Sequence, residues 1–129
     1  MSNENSKRSL DETFDSDRIE TILAEQLPKW YYENGRICRK YRSSGWKATL
    51  MIVNAIGHLA EAAWHHPDIT ASYAQVTVEL MNHEANGITN KDFELADKIE
   101  QFVSWQPALE EGSLEGTPKD PKHRYINYD

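Results

Sequence analysis

Trp46-Lys47-Ala48-Thr49-Leu50-Met51-Ile52-Val53-Asn54-Ala55-Ile56-Gly57-His58-Leu59-Ala60-Glu61-Ala62-Ala63-Trp64-His65-His66-Pro67 is the longest periodic stretch of the chain, and its reading decides the fold. Leu50, Val53, Ile56, Leu59 or Ala60, and Ala63 recur at three-and-four spacing, and alanine is plentiful, so the stretch reads as one amphipathic helix. Pro67 fixes its end nearby, which puts His65 and His66 at the last turn or just past it.

Downstream the period switches to two. From Tyr73, Ala74, Val76, Val78 and Leu80 point one way and Gln75, Thr77, Glu79 and Met81 the other, giving a half-buried strand. His83 has the parity of its polar side. Glu84 to Gly87 makes a turn, and Thr89-Asn90-Lys91-Asp92 has the pattern of a capping box opening a helix through Phe93, Ala96, Ile99 and Val103.

Upstream, Trp30-Tyr31-Tyr32, Asn34-Gly35 and Ile37 to Tyr41 read as a β-hairpin, because Asn-Gly supplies the two positive-φ positions of a type I′ turn. Before it, Asp17 can cap a short helix with Ile19, Ile22, Leu23 and Gln26 or Leu27 on one face, stopped by Pro28. Residues 1–16 are polar, with only Leu10 and Phe14 to bury, and read as a disordered arm. Residues 17–106 form the domain. Residues 107–129, with Gly112, Gly116, Pro118 and Pro121, read as an extended or partly disordered tail.

The order helix, hairpin, long helix, strand, helix predicts an α+β fold, a small antiparallel sheet with helices packed on one face. Three strands make a small sheet, so a further strand near Ile69 or an oligomer edge is expected to complete it.

The 129 residues suffice for one domain with its own core. A net charge of −7 argues against binding nucleic acid or an anionic membrane through bulk charge. The polar N-terminus lacks the apolar core of a signal peptide, and no apolar run approaches the roughly 18–20 residues of a membrane span. A soluble, cytoplasmic protein is expected. The single cysteine, Cys38, excludes an internal disulfide and, beside Arg39 and Lys40 but without a base, reads as a packed thiol. The basic run Arg36, Arg39, Lys40, Arg42 reads as a solvated strand face.

The histidines carry the chemistry. His58, Glu61 and His65 fall at i, i+3 and i+7 on one helix face, with Glu61 placed to orient His65, and the strand brings His83 as a third imidazole. Imidazoles give and take protons near neutral pH, so this group is sufficient for paired proton transfer. A metal site competes, but the His-Glu-x-x-His spacing is absent and adjacent His65 and His66 cannot easily aim at one ion, so no metal is expected. Helix-end capping by a cation explains one histidine but not the group. Asp92, as a capping-box acid, needs no chemistry.

Glu61-Ala62-Ala63-Trp64-His65-His66-Pro67, Tyr73, His83 and Asp92 resemble the signature of the pterin-4a-carbinolamine dehydratase family, and Val76–Leu80 and Gly87–Ala96 agree with its flanks. The resemblance covers roughly residues 20–103. It implies an antiparallel sheet backed by helices, assembled as homodimers or homotetramers. It implies His65, His66 and His83 as acid–base groups lining a pterin pocket, with Glu61, Asp92, Pro67 and Tyr73 in support. Water would be expelled from a 4a-hydroxy-tetrahydropterin without metal or cofactor. Trp64 and Trp46 are expected at the rim of that pocket, where they would narrow or block it.

Gly45-Trp46-Lys47, Asn54 to Glu61 and the Gly/Pro tail are more similar to the dehydratase-like RuBisCO assembly factors of carboxysomes and chloroplasts. That branch implies a chaperone-type role with RuBisCO as partner, in association with carboxysomes and without pterin turnover. The basic hairpin and the Tyr125–Tyr128 tail would form the contact. The alternative is an active 4a-hydroxytetrahydrobiopterin dehydratase, because the histidine set is intact.

Overall fold

The computed structural model describes residues 12–129, so the arm assigned to residues 1–16 lies outside the described residues as far as residue 11. Its last part does not stand in solvent. The Phe14 amide donates to the Ile88 carbonyl at 2.9 Å, and the Phe14 ring meets Phe93 edge-on with centroids 5.5 Å apart. Helix α1 (Ser16–Gln26) follows, burying Ile19, Ile22 and Leu23. Its cap is Asp15 rather than Asp17: the Asp15 carboxylate accepts the Arg18 amide at 2.9 Å, while Asp17 sits in the first turn. A carboxylate in either place favours the positive end of the helix, but only the residue outside it can close on the third amide.

Strands β1 (Tyr31–Glu33) and β2 (Arg36–Ser43) pair across Asn34 and Gly35, whose φ values of 53° and 76° are those a type I′ turn demands. The long helix is α2 (Trp46–Ala63), but its buried stripe is Ala48, Thr49, Ile52, Ile56 and Ala60. Leu50, Met51 and Ala63 are exposed, so the helix is rotated by about one residue from the apolar count. Thr49 explains the rotation. Its hydroxyl donates to the Tyr73 carbonyl at 3.0 Å and lies 2.8 Å from Ser43 Oγ, drawing that side inward. Alanines at both ends of the stripe let the backbone approach the sheet.

Strands β3 (Asp68–Ser72) and β4 (Gln75–Leu80) form the second hairpin, and β3 is the strand expected near Ile69. Helix α3 (Asn90–Val103) packs along α2 and the sheet. The sheet order is β1-β2-β4-β3, all antiparallel. Ile37, Tyr41, Val76, Val78 and Leu80 fill its inner face against Ile52, Ile56, Leu95, Ala96 and Ile99.

The segment from Pro107 folds back on the domain instead of trailing from it. Two single 3₁₀ turns (Pro107–Leu109 and Pro121–His123) lead to β5 (Ile126–Asn127), which pairs with Arg42 and Ser43. β5 therefore takes over the edge of β2 that β1 leaves at Cys38. Among the described residues no helix is long and apolar enough to cross a membrane.

Candidate functional site

The site begins where α2 ends. Trp64 adopts the left-handed conformation (φ 53°, ψ 47°), and the His65 amide returns to the Ala60 carbonyl at 3.1 Å. Pro67 then excludes a helical conformation at His66. This reversal splits the two adjacent imidazoles: the His65 side chain turns inward, 14% exposed, and His66 turns outward, 51% exposed.

His65 Nε2 stands 2.6 Å from Asp92 Oδ1. Asp92 is fully buried, and its other oxygen accepts the Thr89 amide at 2.9 Å, closing the capping box of α3. With both carboxylate oxygens accepting from N–H groups, the network assigns the proton to His65 Nε2 and leaves Nδ1 as the free nitrogen. Behind this pair, the Asn82 amide donates to Thr89 Oγ1 at 3.4 Å and accepts the Ala85 amide at 3.1 Å. Asn82 also bridges to Gly87 through both backbone bonds. His83 opens that turn one residue later, exposed and without a hydrogen-bond partner among the described residues. A carboxylate, one imidazole and the cap of a helix are thus tied to one framework, and His83 follows Asn82 in the chain at its border.

Several expected members stand elsewhere. Glu61 does not orient His65; its Oε1 meets His66 Nε2 at 2.9 Å on the outside of the fold. Helical spacing predicts neighbours only while the chain stays helical, and Trp64 ends that condition. Trp64 itself is 75% exposed and stands edge-on to His66, ring centroids 5.0 Å apart. Trp46 lies eighteen residues earlier, about 27 Å along the helix axis, so the two indoles cannot rim one recess. Tyr73 is also remote from the histidines. Its hydroxyl lies over Gly45 at the start of α2, 3.3 Å from where a Cβ would stand. His58 is exposed on α2. Among the described residues no group of three or more His, Cys, Asp or Glu side chains is arranged to hold a metal ion.

A second polar cluster escaped the sequence reading. Arg39 is not on a solvated face but 3% exposed, on the inner side of β2 with Ile37 and Tyr41. Its guanidinium forks onto Glu100 (Nε–Oε1 2.8 Å, Nη2–Oε2 3.2 Å) and onto Asp129 (3.2 and 3.1 Å). Glu100 also accepts the Trp30 indole at 2.9 Å, the Tyr41 hydroxyl at 2.7 Å and the Ser104 hydroxyl at 2.7 Å. Burial alone would raise the Glu100 carboxyl, but the bonds from Arg39, Ser104 and Tyr41 outweigh it and hold it at about 2. Strand parity carried the signal, since Arg39 shares the side of Ile37 and Tyr41. The cluster is saturated with internal partners and reads as structure. Cys38 is buried; burial, then the nearby Glu79 charge, pushes its thiol up to about 11, so it is no nucleophile at neutral pH.

Comparison with known proteins identifies the family and the fold. The family model described as "Pterin 4 alpha carbinolamine dehydratase" matches residues 12–102. An Aquifex aeolicus protein named "Putative pterin-4-alpha-carbinolamine dehydratase" is 44% identical over 79 residues, 61% of this chain and 80% of that one. A Chloroflexus aurantiacus protein of the same name is 42% identical over 87 residues, 65% of this chain and 94% of that one. A crystal structure titled as a transcriptional coactivator/pterin dehydratase from Brucella melitensis superposes with a TM-score of 0.62, covering 69% of this chain and 96% of that one. At 24% identity it speaks for the fold alone. The match over residues 12–102, together with relatives more than 40% identical over most of their own length, places this chain in the pterin-4a-carbinolamine dehydratase family.

Proposed function

We propose that the chain dehydrates a 4a-hydroxy-tetrahydropterin by histidine acid–base chemistry, and the His65–Asp92 pair is the observation that carries this reading. His65 keeps Nδ1 free while a buried carboxylate holds Nε2, so the ring is aimed and its cation is compensated as it forms. In this scheme His65 takes the proton from the ring nitrogen. The C4a–O bond breaks as a second imidazole protonates the departing hydroxyl, and water leaves while a C=N bond closes. His83, which has no carboxylate partner, fits the donor role; His66, paired with Glu61 on the outside of the fold, does not enter the scheme. Proton transfer of this kind is worth about 10²–10⁴ in rate. Stopped-flow decay of a freshly generated 4a-hydroxy-tetrahydropterin tests it. His65→Ala should slow turnover about a hundredfold or more; a wild-type protein no faster than buffer ends the proposal.

A second reading, RuBisCO assembly in association with carboxysomes, is favoured by what the chain adds to its relatives. The segment after residue 102 lies beyond the family match, folds onto the domain and presents aromatic side chains. A protein acting this way raises the yield of assembled RuBisCO on co-expression and tolerates His83→Ala, which the enzyme would not. The uncovered outer edge of β3 supports a homodimer or homotetramer under either reading, and sedimentation equilibrium measures it.

A further inference from the structure

Five of the ten large apolar side chains that stand exposed among the described residues belong to the C-terminal part of the chain. Phe102, Trp105, Leu109, Leu114 and Tyr128 all lie from the last turn of α3 onward, with Trp105 51% and Leu109 79% exposed. Trp105, Leu109, Leu114 and Tyr128 border recesses of about 610 Å³ and about 580 Å³ that share Trp105 and Gln106. Glu100, Ser104 and Gln106 also line a third, of about 220 Å³, beside Trp30 and Lys29, whose ammonium is paired with Asp129 at 3.5 Å. Exposed apolar side chains gathered around such recesses mark an interaction site.

Charge selects the occupant. The charged side chains lining the two larger recesses are Glu100, Glu110 and Glu115, and no cation lines either. Glu100 is consumed by Arg39, whereas Glu110 accepts only a 3.4 Å bond from the Trp105 indole and Glu115 has no hydrogen-bond partner among the described residues. Lys119, Lys122 and Arg124 belong to the same segment but line neither recess. On a chain of net charge −7, these carboxylates repel a nucleic acid or an anionic membrane and attract a cation. Trp105, Tyr125 and Tyr128 supply the aromatic walls on which extended chains dock.

We infer that this cleft binds an extended cationic, apolar segment of a partner protein, with Trp105 as the central contact. Asp92 lies in the first turn of α3 and Trp105 just past its last residue, about 16 Å away along the helix axis, so the cleft is separate from the His65–Asp92 pair and stands whichever function that pair serves.

The test is fluorescence anisotropy of a fluorescein-labelled dodecapeptide alternating Arg and Leu around a central proline, titrated with the full chain. A counterpart with Glu for every Arg is the control. The cationic peptide should bind, and the acidic one at least about tenfold more weakly. Trp105→Ala and Glu115→Lys should each weaken binding about tenfold; both side chains are exposed, so circular dichroism and the melting curve should not move. Equal binding of the two peptides, no binding of the cationic one, or unaltered affinity in Trp105→Ala overturns the inference. So does sedimentation showing that Trp105→Ala turns an oligomer into monomers, which would give the cleft to a second copy.

Discussion

Asp92 shows how one side chain can hold two elements together. One oxygen closes the first turn of α3 and the other reaches the helix end that carries His65. Asp92→Asn keeps the shape but removes the charge that faces both. It should lower stability by about 1–2 kcal/mol in urea titration and reduce turnover nearly as much as His65→Ala. A large loss of rate with unchanged stability would assign Asp92 to chemistry alone. The capping pattern of Thr89 and Asp92 was readable because it is local. The partner of Glu61 was not: its pairing depends on where the helix stops, and a left-handed tryptophan has no propensity signal.

Trp64 is the clearest case at the level of elements. A bulky residue at φ 53° sits where glycine carries no steric penalty. Trp64→Gly should therefore stabilise the fold by about 1 kcal/mol, a rise of roughly 3–6 °C in melting temperature by calorimetry. The indole is mostly in solvent, so little packing is lost. A drop instead would mean that its edge-on contact with His66 outweighs the backbone strain. The Asn34-Gly35 hairpin and the alternation of β4 were legible because each writes its geometry into consecutive residues. The phase of α2 was misread because Thr49 counts as polar in a periodicity yet is drawn inward by two hydroxyl contacts. β5 left no signal at all, being two residues whose only reason to be a strand is the vacant edge of β2.

Across the whole molecule, the Arg39 fork joins β2, α3 and the C-terminal segment. Glu100 is held at about 2 against an ordinary value of 4.5, and Asp129 is lowered as well, chiefly by its bond from Arg39. A depressed carboxylate stabilises fully above its unfolded value and loses that contribution as pH falls through the folded one. Stability should hold above about pH 5 and decline steadily from pH 4.5 towards 2, as followed by urea midpoints. Arg39→Ala leaves Glu100 largely buried without its main cation and should cost about 3 kcal/mol or more; it should also flatten that acid limb. A variant with an unaltered limb would remove Glu100 from the account.

The same cluster gives the protein an optical gauge. Trp30, 3% exposed, donates its indole to Glu100, whereas Trp46, Trp64 and Trp105 are each about half open or more. Short-wavelength emission therefore arises in the interior and long-wavelength emission at the surface. Acrylamide will quench three indoles and spare one. The surviving blue component reports, without any label, whether the Arg39–Glu100 ion pair is intact.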